Sequence, residues 1–178
     1  MTQPSIYSYF GLKPSFVVDT ERLEAAYLAA IKKVHPDLFA ARPAAERRVA
    51  EQWSTRLNEA YQTIKDPVRR ATYLCEVAGF DVGAEKNTAM PMDFLMAQMR
   101  WREMLDNAPE DEKVKETLNY EVKEEEERIL ADLTEALDVK QDYQAAVPRI
   151  FLTWLCFRFP SLAYRPLRMN TVWLSAST

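Results

Sequence analysis

The chain has 178 residues, 48% hydrophobic and 28% charged, with a formal net charge of -4, 3 Gly, 10 Pro, 2 Cys and 1 His. That length suits one domain or two small ones, and the apolar content supports a core, which excludes wholesale disorder. So few Gly, Cys and His argue against glycine-built phosphate loops, a four-ligand zinc site and a disulfide-rich secreted scaffold.

The opening MTQPSIYSYFGL lacks the basic start and apolar run of a secretion signal. It also lacks the Arg/Ser-rich character of an organelle transit peptide. A cytosolic, mainly helical protein is therefore expected. Residues 5–11 can form one or two helical turns. Asp19 or Thr20 then offers an N-cap, with Glu21 and Glu24 in the first turn of a helix. Leu23, Tyr27, Ile31 and Val34 follow at steps of three and four, which marks one face. Lys32 and Lys33 close the helix and Pro36 stops it. A second helix is expected from Ala44 to Lys65, with Val49, Trp53, Leu57, Ala60, Tyr61 and Ile64 on its apolar face and Asp66-Pro67 at its end. The two make an antiparallel hairpin, with Phe10 and Leu12 available to pack across it.

The hairpin loop reads His35-Pro36-Asp37. An arbitrary His before Pro is a solvated loop residue. This one sits where a Lys-ended amphipathic helix stops and a second is about to begin. Leu57-Asn58-Glu59-Ala60-Tyr61, Asp66-Pro67 and Arg70-Ala71-x-Tyr73-Leu74 follow in order. This set resembles the J-domain, the module with which J-proteins stimulate the ATPase of DnaK-type chaperones. The continuation LCEVAGFDVGAEKNT, and then MDFLMAQMRWREMLDNA at residues 92–108, resembles the HscB family of co-chaperones of iron–sulfur cluster assembly. The resemblance covers about residues 5–140.

The resemblance implies that His35, Pro36 and Asp37 engage the chaperone. Lys32, Lys33 and Arg22 supply a basic face that steers association with an acidic surface. One departure is Leu38, where the family commonly has Lys after the tripeptide; it puts one ionic contact in question. With no second His, no nearby nucleophile and no glycine-rich pocket, the loop does not read as catalytic.

Residues 66–91 read as a short helix and a connector. Ala71, Leu74, Cys75 and Ala78 form a stripe that bridges two modules, with Cys75 a buried structural thiol. From Met92 the chain is helical again, and more apolar than one face needs. The core stripe is either Leu95, Met99 and part of Trp101–Leu105, or Phe94, Gln98, Trp101 and Leu105. The HscB resemblance implies that Leu95, Met96 and Met99, with Glu103 beside them, bind the iron–sulfur scaffold IscU. Arg100 and Asn107 stand where relatives often have acids, so the charged rim differs.

Residues 109–139 are an acidic helix with Val114, Leu118, Val122, Ile129, Leu133 and Leu137 on one face; Glu124–Glu127 is a solvated charge run. Gln141–Ile150 begins a third helix, already strained by Pro148. Residues 151–178 then hold 3 Lys/Arg and no Asp or Glu. Helical pattern and resemblance fade there too, and Ile150–Phe159 is too short for a membrane span. The expectation is a reading-frame shift after about residue 149; a membrane-surface or oligomerisation tail is the rival.

The charge divides accordingly: +3 over residues 1–70, -10 over 71–150 and +3 over 151–178. The expected fold is all-α. It comprises a J-domain hairpin at 1–75, a connector at 76–91, a three-helix scaffold-binding bundle at 92–150 with a doubtful third helix, and an atypical tail at 151–178. The resemblance implies an HscA-like DnaK-type ATPase chaperone and an IscU-like scaffold as partners, and no cofactor, metal, nucleic acid, membrane or enzymatic activity. A J-domain adaptor for a different client is the alternative.

Overall fold

The computed structural model describes residues 5–82, 91–107 and 110–162, with the backbone alone at Pro36 and 157–162. A 3-10 turn at Ile6–Phe10 ends on Gly11, which adopts the left-handed conformation that suits glycine. Helix α1 spans Thr20–Val34, α2 Ala44–Lys65 and α3 Pro67–Val77. Helix α4 spans Met92–Asn107, α5 Glu112–Thr134 and α6 Tyr143–Leu162. No strand occurs among the described residues.

Local chemistry sets these bounds. Asp19 accepts from the Arg22 N–H at 3.0 Å and Asp66 from the Arg69 N–H at 2.9 Å, so each caps the free donors of a helix start. Asp66 also ends α2, and Pro67 takes the first position of α3, where its missing N–H costs nothing.

Helices α1 and α2 pack as the antiparallel hairpin around Tyr7, Phe10, Leu23, Leu57, Ala60, Tyr61 and Ile64. Tyr27 stacks on Tyr61 at 4.2 Å and donates its hydroxyl to Asn58 at 2.6 Å. Three residues of the Leu57–Tyr61 motif are therefore core, and its Asn is a buttress. Val49 and Trp53 depart from the expected stripe and stay exposed. Each continues the apolar spacing, but they border an open groove beside the end of α1 rather than the hairpin core.

Helix α3 joins the modules. Its Ala71 and Cys75 are buried with Leu133, Ala136, Leu137, Ala146, Val147 and Ile150, while Leu74 touches this core and the hairpin core alike. Ala78, expected on that stripe, is exposed. Burial pushes the Cys75 thiol up to about 11.

The acidic helix buries Leu118, Val122, Ile129 and Leu133 as its periodicity predicts. It then loosens into a π turn at Glu135–Val139, and Gln141 takes a left-handed conformation (φ 53°) at the corner before α6. The third helix corrects the sequence reading. It is continuous through Pro148 and Ile150 to Leu162. Asp142 caps it by accepting from the Ala145 N–H at 2.9 Å. A proline inside a helix costs about 3 kcal/mol. Burial of Val147, Ile150 and Leu152 offsets this, at roughly 1.5–3 kcal/mol each. Leu152 and Cys156 pack on Phe94 and Ile129, so the first residues past 150 belong to the bundle core. Residues 83–90 of the expected connector and the tail beyond 162 lie outside the described residues.

Candidate functional site

Two exposed features stand apart, one on each module. The first is the turn at the end of α1. His35 leaves the helix in extended geometry and Pro36 opens a 3-10 turn, Pro36–Phe39. The Leu38 N–H donates to the His35 carbonyl at 3.0 Å, which closes the turn. The His35 Nδ1 faces two groups. In a neutral ring it accepts the Asp37 N–H at 3.3 Å; protonated, it pairs with the Asp37 carboxylate at 3.5 Å. Both contacts are long, and the Asp37 side chain remains 88% exposed, so its carboxylate is available to a donor on a partner.

The structure places Lys32 and Lys33, both exposed, in the last turn before this loop. Arg22 is exposed in the first turn, roughly 15 Å away along the axis at 1.5 Å per residue. It shares a helical stripe with Lys33 but does not border the turn. Sequence reading passed over the groove of about 300 Å³ next to the turn, lined by Val34, Phe39, Val49, Ala50 and Trp53 among others. Its signal was present in the apolar spacing of α2, but pattern alone assigned those side chains to the core.

The second feature is the outer face of α4. The structure selects the inward stripe: Phe94 and Trp101 are buried, and Gln98 and Leu105 are half-buried. Trp101 packs on Leu118 and Val122 and donates its indole N–H to Glu121 at 2.8 Å. Arg100 pairs with the same carboxylate at 2.6 Å. The expected acid-to-base change at 100 thus serves the α4–α5 joint.

Opposite this stripe, Leu95, Met96, Met99 and Glu103 share one exposed face. Met92 lies on the same face and is also exposed, which extends the patch by a turn. Its position at i-4 from Met96 was the available signal. Flexible thioethers beside a leucine make an adaptable apolar surface.

The cysteines take no part in either feature. Burial pushes the Cys156 thiol up to about 12, with Glu125 and Glu126 adding to the effect. Among the described residues no group of His, Cys, Asp and Glu is arranged to hold a metal, and no helix is long and apolar enough to cross a membrane.

Comparison with known proteins agrees with both modules. Residues 5–73 match the DnaJ domain, and residues 90–150 match the HSCB C-terminal oligomerisation domain. A co-chaperone protein HscB homolog of Bordetella avium is 47% identical over 150 residues, covering 84% of this chain and 89% of that protein. The Burkholderia thailandensis homolog is 49% identical over 144 residues, covering 80% and 82%. The crystal structure of human co-chaperone protein HscB superposes with a TM-score of 0.82 at 26% identity, covering 91% of this chain and 81% of that one. Chaperone HscB from Vibrio cholerae gives 0.78 at 28%, covering 91% and 96%. With a J-domain that carries His35-Pro36-Asp37 at the turn between its two long helices, and a helical C-terminal module that matches over residues 90–150, the chain belongs to the HscB family of co-chaperones.

Proposed function

We propose that this chain stimulates the ATPase of an HscA-like chaperone of the DnaK type and delivers an IscU-like iron–sulfur scaffold to it, in the cytosol and with no enzymatic activity of its own. The observation that carries the reading is the pair of exposed surfaces on one frame. The His35-Pro36-Asp37 turn presents an exposed carboxylate on the basic module, and α4 presents an apolar face on the acidic one. The turn engages the chaperone, with Lys32 and Lys33 beside it and Arg22 further along the same helical stripe. Leu95, Met96, Met99 and Glu103 hold the scaffold, with Met92 at the patch's edge. Holding the scaffold while triggering ATP hydrolysis couples chaperone closure to the right client. The domain limits we assign are 1–75, 76–91 and 92 onward, the last carried past residue 150 by the packing of Leu152 and Cys156.

The deciding experiment is steady-state ATPase of an HscA-like chaperone with this protein, with and without the IscU-like scaffold. Stimulation that rises further with scaffold is expected. Stimulation indifferent to scaffold would favour an adaptor for another client. No stimulation at all would sink the J-domain role.

We also propose that the residues after about 149 are read in a shifted frame. The family match stops at residue 150, and no carboxylate follows Asp142. The packing of Leu152 and Cys156 weighs on the other side. Resequencing the gene across this point decides it, and an unshifted frame rejects it.

A further inference from the structure

Helix α3 is a single rod shared by the two modules, and a single rod permits rocking about its axis. The structure supplies a second attachment away from that rod. Asp138, in the π turn after α5, accepts three hydrogen bonds from the loop that precedes α1: from the Phe16 N–H at 2.6 Å, the Val17 N–H at 2.8 Å and the Ser15 hydroxyl at 3.0 Å. These residues are 121 to 123 positions apart in the chain.

The loop is fixed from both sides. Phe16 is buried among Ala71 and Cys75 of α3 and Leu133, Leu137 and Val147 of the bundle. The Arg70 guanidinium lies 5.0 Å from the Phe16 ring and donates to the Ile64 carbonyl at 2.6 Å. Tyr7, in the hairpin core, donates its hydroxyl to the Ser15 carbonyl at 2.8 Å.

Helix α1 starts four residues after Phe16 and carries His35 at its far end. Its 15 residues reach roughly 22 Å at 1.5 Å per residue, so a rocking of about 20° at the loop would move the turn by roughly 8 Å. That exceeds the tolerance of any directional contact.

We propose that Asp138 is a positioning residue that locks the angle between the modules, so that a client held on α4 and the His35–Asp37 turn reach the chaperone in a fixed relation. The coupling part rests on the delivery reading above; the locking part does not.

The test uses the full chain with nitroxide labels at Glu51→Cys and Asn119→Cys, both exposed positions outside either surface. Cys75 and Cys156 are buried and do not take label. Pulsed electron-spin distance measurement is expected to give a narrow distribution in the parent and a clearly broader one in Asp138→Ala. Asp138→Asn, which keeps one acceptor oxygen, should fall between and stands in if the alanine variant unfolds. An unchanged width in both variants overturns the proposal.

With chaperone and scaffold, Asp138→Ala should lose about fivefold or more of the scaffold-dependent ATPase stimulation. Scaffold-free stimulation and scaffold affinity should stay as in the parent. Broadening with undiminished scaffold-dependent stimulation overturns the positioning role. A parent that shows no scaffold-dependent stimulation overturns the delivery reading instead, and the width alone then decides whether Asp138 locks the angle.

Discussion

Asp37 combines high exposure with a backbone held by its own turn, so its carboxylate contributes little to folding and stays free for a partner. Asp37→Asn keeps the shape and removes the charge. ATPase stimulation is expected to fall to background, while the melting temperature moves by less than about 2 °C, because exposed substitutions stay within about 0.5 kcal/mol. Full stimulation by a folded variant would reject the assignment.

The cysteines give the opposite expectation, because burial raises both: Cys75 to about 11 and Cys156 to about 12. A thiol raised on folding stabilises the native state below its ordinary value of about 9. That contribution is lost as pH climbs from 9 toward 11. Thermal melts should therefore weaken across this alkaline window, and a thiol reagent at pH 8 should find neither cysteine until denaturant is added. Rapid labelling of the native chain would show that these sites open. The burial of Cys75 was legible because it sits on an apolar stripe. That of Cys156 was not, since its segment has no clean period and its partner Phe94 lies far back in the chain.

Helix α4 shows why pattern alone leaves a choice. Its two apolar stripes both have helical spacing, and only the neighbours α5 and α6 decide which is buried. The outward stripe is then free for binding. Leu95→Ala combined with Met96→Ala should weaken scaffold affinity about tenfold or more, as truncations at an interface centre do, with no loss of helicity. Calorimetric titration with the scaffold measures this, and parent-like affinity would remove the patch from the site.

The inward stripe depends on α6. Leu152→Ala removes a side chain that packs under Phe94, at a cost of about 2–5 kcal/mol. It should loosen α4 and lower scaffold affinity although it touches no partner. Faster amide exchange in α4 with an undisturbed hairpin is the expected signature. Uniform exchange throughout would reject the support role of α6. No acid follows Asp142 and the helical pattern fades past residue 150, yet packing needs only apolar residues at the right turns, and Leu152 and Cys156 supply them.

At the scale of the molecule, the hairpin and the bundle were legible separately, each from its own periodicity and motifs. Their junction was not. Phe16 looks like a loop residue and Asp138 like one more acid in an acidic helix, and only the fold brings them together. The charge map was legible throughout, and it predicts how the two surfaces respond to salt. The first 70 residues carry +3 and the next 80 carry -10. Exposed charges are screened beyond about 10 Å at 0.1 M salt and about 3 Å at 1 M. Association of the basic module with an acidic chaperone face should therefore slow steeply as salt rises, mostly in the on-rate. Scaffold affinity at the apolar α4 patch should hardly change. Lys32→Gln with Lys33→Gln should flatten the salt dependence of the chaperone on-rate and leave the scaffold titration as it was, and surface-plasmon traces over a salt series read both. If the double variant keeps the parent's slope, the steering charge lies elsewhere on the hairpin, with Arg47 and Arg48 near the start of α2 the next residues to neutralise.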